Sequence, residues 1–196
     1  MKALVIVDVQ NDFLKNGSLE VPRGDNIIEP INQIMKNYPL VLATKDWHPL
    51  DHVSFVSNHP GKNVGDIIKV NDFDQVLWPK HCVQESKGSE FPKNLNSKII
   101  KKIIHKGVNS QIDSYSGFYD NGKISSTGLS YYLKTNNVTS VDYVGLVTEY
   151  CVKFTVFDSL EEGFNTNVIL NCIMGINLEE SNKALKEMKS KGVNLL

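Results

Sequence analysis

Cysteine is scarce in this chain. Only Cys82, Cys151 and Cys172 occur in 196 residues. An odd number with no C-x-x-C pair argues against a disulfide framework and a structural zinc knuckle, and fits a reduced, cytosolic compartment. An excess of basic charge is also missing. The net charge of -1 leaves no electrostatic footprint for nucleic acid and none for an anionic membrane. Long hydrophobic runs are absent as well. The opening apolar stretch lasts only from Ala3 to Val7 before Asp8 interrupts it, too short for a signal peptide or a spanning helix. No internal repeat or low-complexity tract appears. What remains is a composition of 41% hydrophobic and 22% charged residues, that of a globular protein. Its length suits one domain, 1–196, with a sizeable core.

Five short runs rich in Val, Ile and Leu read as buried parallel strands: Ala3 to Val7, Leu40 to Thr44, Ile99 to His105, Ser140 to Val144 and Thr166 to Leu170. They are continuous rather than alternating, as strands covered on both faces are. Helical patterns fall at Ile27 to Asn37, Thr127 to Asn136, Glu149 to Glu162 and Glu179 to Lys191, and Val193 to Leu196 offers a last strand. Alternation of this kind predicts an α/β protein, a three-layer α/β/α sandwich with a mainly parallel, doubly wound, Rossmann-like sheet. The stretch from Trp47 to Asn96, broken by Pro49, Pro60, Pro79 and Pro92, reads as irregular. Long irregular connections in compact domains are usually functional.

Ligands of open α/β sheets bind beyond the carboxyl ends of the strands. There the sequence places Asp8, then Asp46 and His48, then Lys106, then Cys151. Cys151 falls on the first turn of the helix that follows a strand. A free cysteine, with a pKa of about 8.5, is only a few per cent thiolate at neutral pH. Lowering that pKa by about two units takes about 2.7 kcal/mol, and a helix N-terminus supplies roughly 0.3–1 kcal/mol. Cys151 therefore needs a base or a cation, or else it is core filler. Asp8 reads as the base, or as a strand-end turn residue. Lys106 reads as the group that holds Asp8 in place, or as a surface lysine. Asp46 and His48, two apart in extended backbone, point to one side and can share an ion. His52 and His81 are further ligand types. An Asp with two His and open positions suits zinc or a similar divalent ion. Phe13, Trp78 and Tyr115 are loop aromatics able to pack the loops or to form a slot for a flat ring.

Six segments in order resemble the nicotinamidase branch of the isochorismatase-like cysteine hydrolases: V-D-V-Q-N-D-F at Val7 to Phe13, T-K-D-W-H-P-x-x-H-x-S-F at Thr44 to Phe55, W-P-K-H-C-V-Q at Trp78 to Gln84, H-K-G at His105 to Gly107, D-S-Y-S-G-F-Y-D-N-G at Asp113 to Gly122, and G-L-V-T-E-Y-C-V-K-F-T at Gly145 to Thr155. The resemblance implies a catalytic triad of Asp8, Lys106 and Cys151. It implies metal ligands Asp46, His48 and His81, with His52 at a position whose coordination varies. It also implies a cis peptide near Leu146–Val147, an oxyanion hole from the Val147 and Cys151 N–H groups, and a ring slot of Phe13, Trp78 and Tyr115. The implied cofactor is one divalent ion, zinc first, with iron or manganese as alternatives. The implied reaction is hydrolysis of nicotinamide to nicotinate and ammonia through a Cys thioester, in NAD salvage. The partner would be that small molecule, with no nucleic acid and no membrane, and a homo-oligomer stays open. Other readings are an amidase for another small carboxamide such as pyrazinamide, and a non-catalytic metal-binding or redox-sensing protein. Val147 and Glu149 depart from the Ala and Asp of the family pattern, and Asn171 to Gly175 lacks its usual Asp and Arg.

Overall fold

The computed structural model describes residues 1–196. Its strands are β1 (Lys2–Val7), β2 (Leu40–Asp46), β3 (Ile67–Val70), β4 (Phe73–Val76), β5 (Lys102–Lys106), β6 (Ser140–Leu146), β7 (Asn165–Met174) and β8 (Asn194–Leu195). Its α-helices are α1 (Ile28–Ile34), α2 (Leu129–Thr135), α3 (Lys153–Glu161) and α4 (Leu178–Ser190). Six strands form one sheet in the order β5-β2-β1-β6-β7-β8, and every neighbouring pair is parallel. The winding reverses between β1 and β6, so the crevice at their carboxyl ends is the switch point where such sheets bind ligands.

Alternate residues of β1 explain the layers. Ala3, Val5 and Val7 pack with Leu129 and Leu133 of α2, Val156 of α3 and Met188 of α4. Leu4 and Ile6 point the other way, onto Ile28 and Ile31 of α1 and onto Phe13 and Leu14. Both faces of the sheet are thus covered, which is why its strands read as unbroken apolar runs. Each fully buried Val, Leu or Ile contributes about 1.5–3 kcal/mol.

Several predicted boundaries shift. The third sheet strand begins at Lys102 rather than Ile99, because Ser97–Ile99 form a 3-10 turn. β2 and β5 run on through Asp46 and Lys106, so these two residues end their strands rather than follow them. β7 extends to Met174. The predicted helix from Glu149 splits into a π-helical turn, Thr148–Val152, and then α3. The stretch from Trp47 to Asn96 is not wholly irregular. β3 and β4 pair there as an antiparallel ribbon around Asn71 and Asp72. Asn71 has φ +52°, a left-handed turn conformation that Asn tolerates. That two-residue turn after the β-branched Ile67, Ile68 and Val70 was the available signal, masked by the surrounding prolines.

Candidate active site

Asp46 and Lys106 sit directly opposite each other at the ends of β2 and β5. Asp8 is the first residue beyond β1. Gly145, paired with Val7 across β1 and β6, has φ +115°, and a Cβ there would meet the Val7 carbonyl oxygen at 2.1 Å. Only glycine allows that approach. After β6 the Leu146–Val147 peptide is cis. The Tyr150 and Val152 N–H groups then both turn back on the Val147 carbonyl oxygen, closing the π-turn that carries Cys151. Glu149 ties this turn to its neighbours: Oε1 accepts the Ile176 and Asn177 N–H groups, each at 2.9 Å, and Oε2 accepts the Ser181 hydroxyl at 2.9 Å.

Four predicted residues converge. Lys106 Nζ lies 2.9 Å from Asp8 Oδ2, 2.5 Å from Asp46 Oδ1 and 3.4 Å from Cys151 Sγ, and donates to the Ser114 carbonyl oxygen at 2.8 Å. Acceptor atoms of Asp8, Asp46 and Cys151 all fall within 4.8 Å of one another. Lys106 is 1% exposed and Asp8 0%. Burial alone would discharge the lysine, but Asp46 and Asp8 outweigh it and hold the ammonium charged well above its usual range. Burial raises Asp8 above the ordinary carboxylate range, offset in part by Lys106, and the Asp46 charge raises it further. Burial likewise pushes the Cys151 thiol well up, and Lys106 recovers only part of that. Burial thus favours the protonated thiol of Cys151, beside a carboxylate of heightened basicity.

Two residues that the sequence reading passed over hold this geometry. The Thr44 hydroxyl donates to Asp8 Oδ1 at 2.6 Å. Gln10 clamps the Asp46 backbone, donating to its carbonyl oxygen and accepting its N–H, both at 2.8 Å. Gln10 lies inside V-D-V-Q, so its position was visible, but only the folded chain shows what it grips.

The metal-type residues gather next to this cluster. His48 bridges in parallel to Val83, with its N–H donating to the Cys82 carbonyl oxygen at 3.1 Å, and this stitches the W-P-K-H-C loop onto D-W-H. His81 is thereby delivered to His48. His48 Nε2 and His81 Nε2 lie 3.7 and 3.8 Å from Asp46 Oδ2, near the ~3.4 Å edge that two ligands make around an ion held at about 2.1 Å. Each ring's other nitrogen is engaged, His48 Nδ1 with the Gly107 carbonyl oxygen at 2.9 Å and His81 Nδ1 with that of Pro79 at 2.8 Å. Such bonds leave Nε2 as the free lone pair. Gly107 has φ +63°, and a Cβ there would meet the His48 ring at 2.3 Å. Charge points the same way. Asp8, Asp46 and Asp113 are three buried carboxylates against one buried ammonium, a deficit that a divalent cation balances. Asp46, His48 and His81 fit such an ion.

His52 stands apart from that trio. Its ring lies 4.1 Å from that of His48, tilted by 39°, and it groups with His48 and Asp113. Its Nδ1 meets Ser54 Oγ at 2.7 Å and its Nε2 is buried without a partner. Burial and the neighbouring His48 push its pKa down to about 4.

The adjoining pocket is lined by Phe13, Trp78, Tyr115, Val147 and Cys151. Two further lining residues, Tyr150 and Asp113, were not singled out. Tyr150 crosses Trp78 edge-on at 5.0 Å and lies 5.5 Å from Tyr115. It immediately precedes Cys151, which was the clue.

Comparison with known proteins gives a consistent answer. The isochorismatase domain pattern matches residues 2–196. The nicotinamidase of Escherichia coli K12 is 39% identical over 99% of this chain and 93% of its own. The solved nicotinamidase/pyrazinamidase of Acinetobacter baumannii superposes with a TM-score of 0.96 at 42% identity, covering 100% of this chain and 95% of that one. The pyrazinamidase of Pyrococcus horikoshii, solved in complex with zinc, gives 0.81 at 34% identity, covering 100% and 98%. No helix is long and apolar enough to cross a membrane. With the pattern running through residues 2–196 and such identities along whole chains, the protein belongs to the isochorismatase family.

Proposed function

We propose that this protein is a metal-dependent nicotinamidase, an amidohydrolase that releases ammonia from nicotinamide in NAD salvage and works in the cytoplasm. One observation carries the reading: a single buried ammonium, Lys106 Nζ, reaches Asp8, Asp46 and Cys151 Sγ together beside an aromatic pocket. The relatives' activity on nicotinamide supports the choice of substrate.

In this mechanism Asp8 takes the Cys151 proton as the sulfur attacks the carboxamide carbon, so thiolate forms only as it is consumed. The carbonyl oxygen gains charge and is met by the Val147 and Cys151 N–H groups, each donor worth about 2.7–4 kcal/mol in comparable sites. Asp8 then gives its proton to the leaving nitrogen. Ammonia departs and a thioester remains. Asp8 next deprotonates a water that attacks the thioester, and collapse returns the proton to sulfur and frees nicotinate. Lys106 stays charged throughout and keeps Asp8 aimed at the sulfur. Asp46, His48 and His81 would hold the divalent ion, zinc in the first instance, which supplies a Lewis-acidic seat for the pyridine nitrogen. Phe13, Trp78 and Tyr115 hold the ring, a positioning effect that can supply several kcal/mol of the barrier reduction.

The test is ammonia release from nicotinamide, with Cys151→Ala as the paired control. The wild-type chain should turn over, and the variant should fold normally and release none. Turnover by the variant would remove Cys151 from its role. A silent wild type, loaded with zinc, iron or manganese in turn, would remove the function.

A further inference from the structure

β3 and β4 form a ribbon outside the main sheet. It buries almost nothing: Ile67 is 61% exposed and Phe73 37%. One side chain of the ribbon is buried, and it is polar. Gln75 is 2% exposed. Burying an amide costs free energy unless its donors are met, so its partners indicate what the ribbon holds. Gln75 Nε2 donates to Asp113 Oδ2 at 3.0 Å and to the Val76 carbonyl oxygen at 2.8 Å, and reaches Tyr115 Oη at 3.4 Å. The same phenol oxygen accepts Trp78 Nε1–H at 3.2 Å. Both Asp113 and the Tyr115–Trp78 pair face the pocket that holds Cys151.

We propose that Gln75 is a positioning residue for the ring slot. It latches the ribbon to Asp113 and Tyr115, so the aromatic wall formed by Tyr115 and Trp78 stands where a pyridine carboxamide must enter. This inference rests on the nicotinamidase reading for its substrate. Gln75 is separated from Cys151 by that wall and touches neither Asp8 nor Lys106, so its effect falls on ring binding rather than on bond making. A wider, open cavity of about 460 Å³ lies on the far side of the wall, lined by Asp74 and Val76 of the ribbon together with Trp78, Tyr115 and Tyr150. Release of the latch would let the wall relax toward that space.

Gln75→Leu should raise KM for nicotinamide about five- to tenfold, the effect of one or two lost hydrogen bonds, while kcat changes less than twofold. Tyr115→Phe removes the other end of the latch and should do the same. The double variant should be no worse than the poorer single one, since residues in one network do not add. A lowered melting temperature with KM unchanged would make Gln75 merely structural and overturn the proposal. Full additivity of the two substitutions would overturn it as well. A reading independent of turnover uses a Trp47→Phe background, where Trp78 is the sole tryptophan of the two. Gln75→Leu should there increase quenching of Trp78 emission by acrylamide, and unchanged quenching sinks the latch. Absence of wild-type turnover would defeat the nicotinamidase reading, while the quenching result would still decide the latch.

Discussion

At the scale of the residue, Lys106 is the group on which the candidate site turns. Its ammonium is enclosed by Asp8, Asp46, a backbone carbonyl and a sulfur. Replacing it by methionine keeps the volume but leaves two buried carboxylates facing each other. Removing one partner of a buried ion pair costs about 3–5 kcal/mol, so Lys106→Met should lower unfolding free energy by that amount in denaturant titrations and abolish turnover. A variant as stable as the wild type would mean that the charges compensate some other way. From H-K-G alone Lys106 could be the group that holds Asp8 or a surface lysine, and the sequence left both open. In sequence it is a lysine at the end of a strand, and what makes it special is that β5 lies beside β2 in the register that sets it against Asp46. His52 teaches the complementary lesson. Its place four residues after His48 was visible in the sequence, but not that its ring tilts against His48 beside Asp113 while His81, 33 residues beyond His48, supplies a nitrogen facing Asp46.

At the scale of the element, α2 and α3 are pinned together by Glu162, the residue that follows α3. Its carboxylate accepts from Lys134 at 2.5 Å and from the Ser130 and Tyr119 hydroxyls. The Lys134 contact and the two hydroxyls lower its pKa from 4.5 to about 2. A carboxyl depressed in the folded state adds stability above its unfolded pKa and loses it as pH falls through the folded value. Glu162→Gln should therefore be less stable than wild type at neutral pH, and the gap should close between about pH 4.5 and 2. Paired denaturation curves at pH 7 and pH 2 check this, and a gap of constant size would refute it. Elements were legible wherever an apolar period ran long enough, as in β1, β2 and α4. The β3–β4 ribbon was not, because short strands that bury almost nothing carry no hydrophobic period. The π-turn under Cys151 was read as the start of a regular helix for a related reason, since the apolar spacing of Val152 and Val156 suits either.

At the scale of the whole molecule, the winding of the sheet decides where chemistry can occur. β1 and β6 part the two halves, and the side chains beyond their ends share one crevice with those at the ends of β2 and β5. Buried carboxylates there exceed buried ammonium groups, so a cation that binds only the folded state should stabilise it. At a free concentration about a hundredfold above its Kd, zinc adds about 2.7 kcal/mol, or about 5–10 °C in melting temperature for a chain of this size. Thermal melts with and without chelator should show that difference in the wild type and lose it in His48→Ala. Equal shifts in both would place the ion elsewhere.

From the sequence alone follow the α/β class, the order of the main-sheet strands and the helices, the identities of Asp8, Asp46, His48, Lys106 and Cys151 as polar residues at strand ends, and His81 as a further ligand type. Local periodicity and turn chemistry act over a few residues, and they leave their mark in the order of letters. Which of those side chains meet was decided only by the tertiary structure. Strand register and the pairing of His48 with Val83 join segments dozens of residues apart, and no local pattern encodes a distance between them. The upward shift of the Cys151 pKa belongs to the same class, because burial and the charges of Asp8 and Asp46, which only the folded chain brings together, push the thiol above its ordinary range.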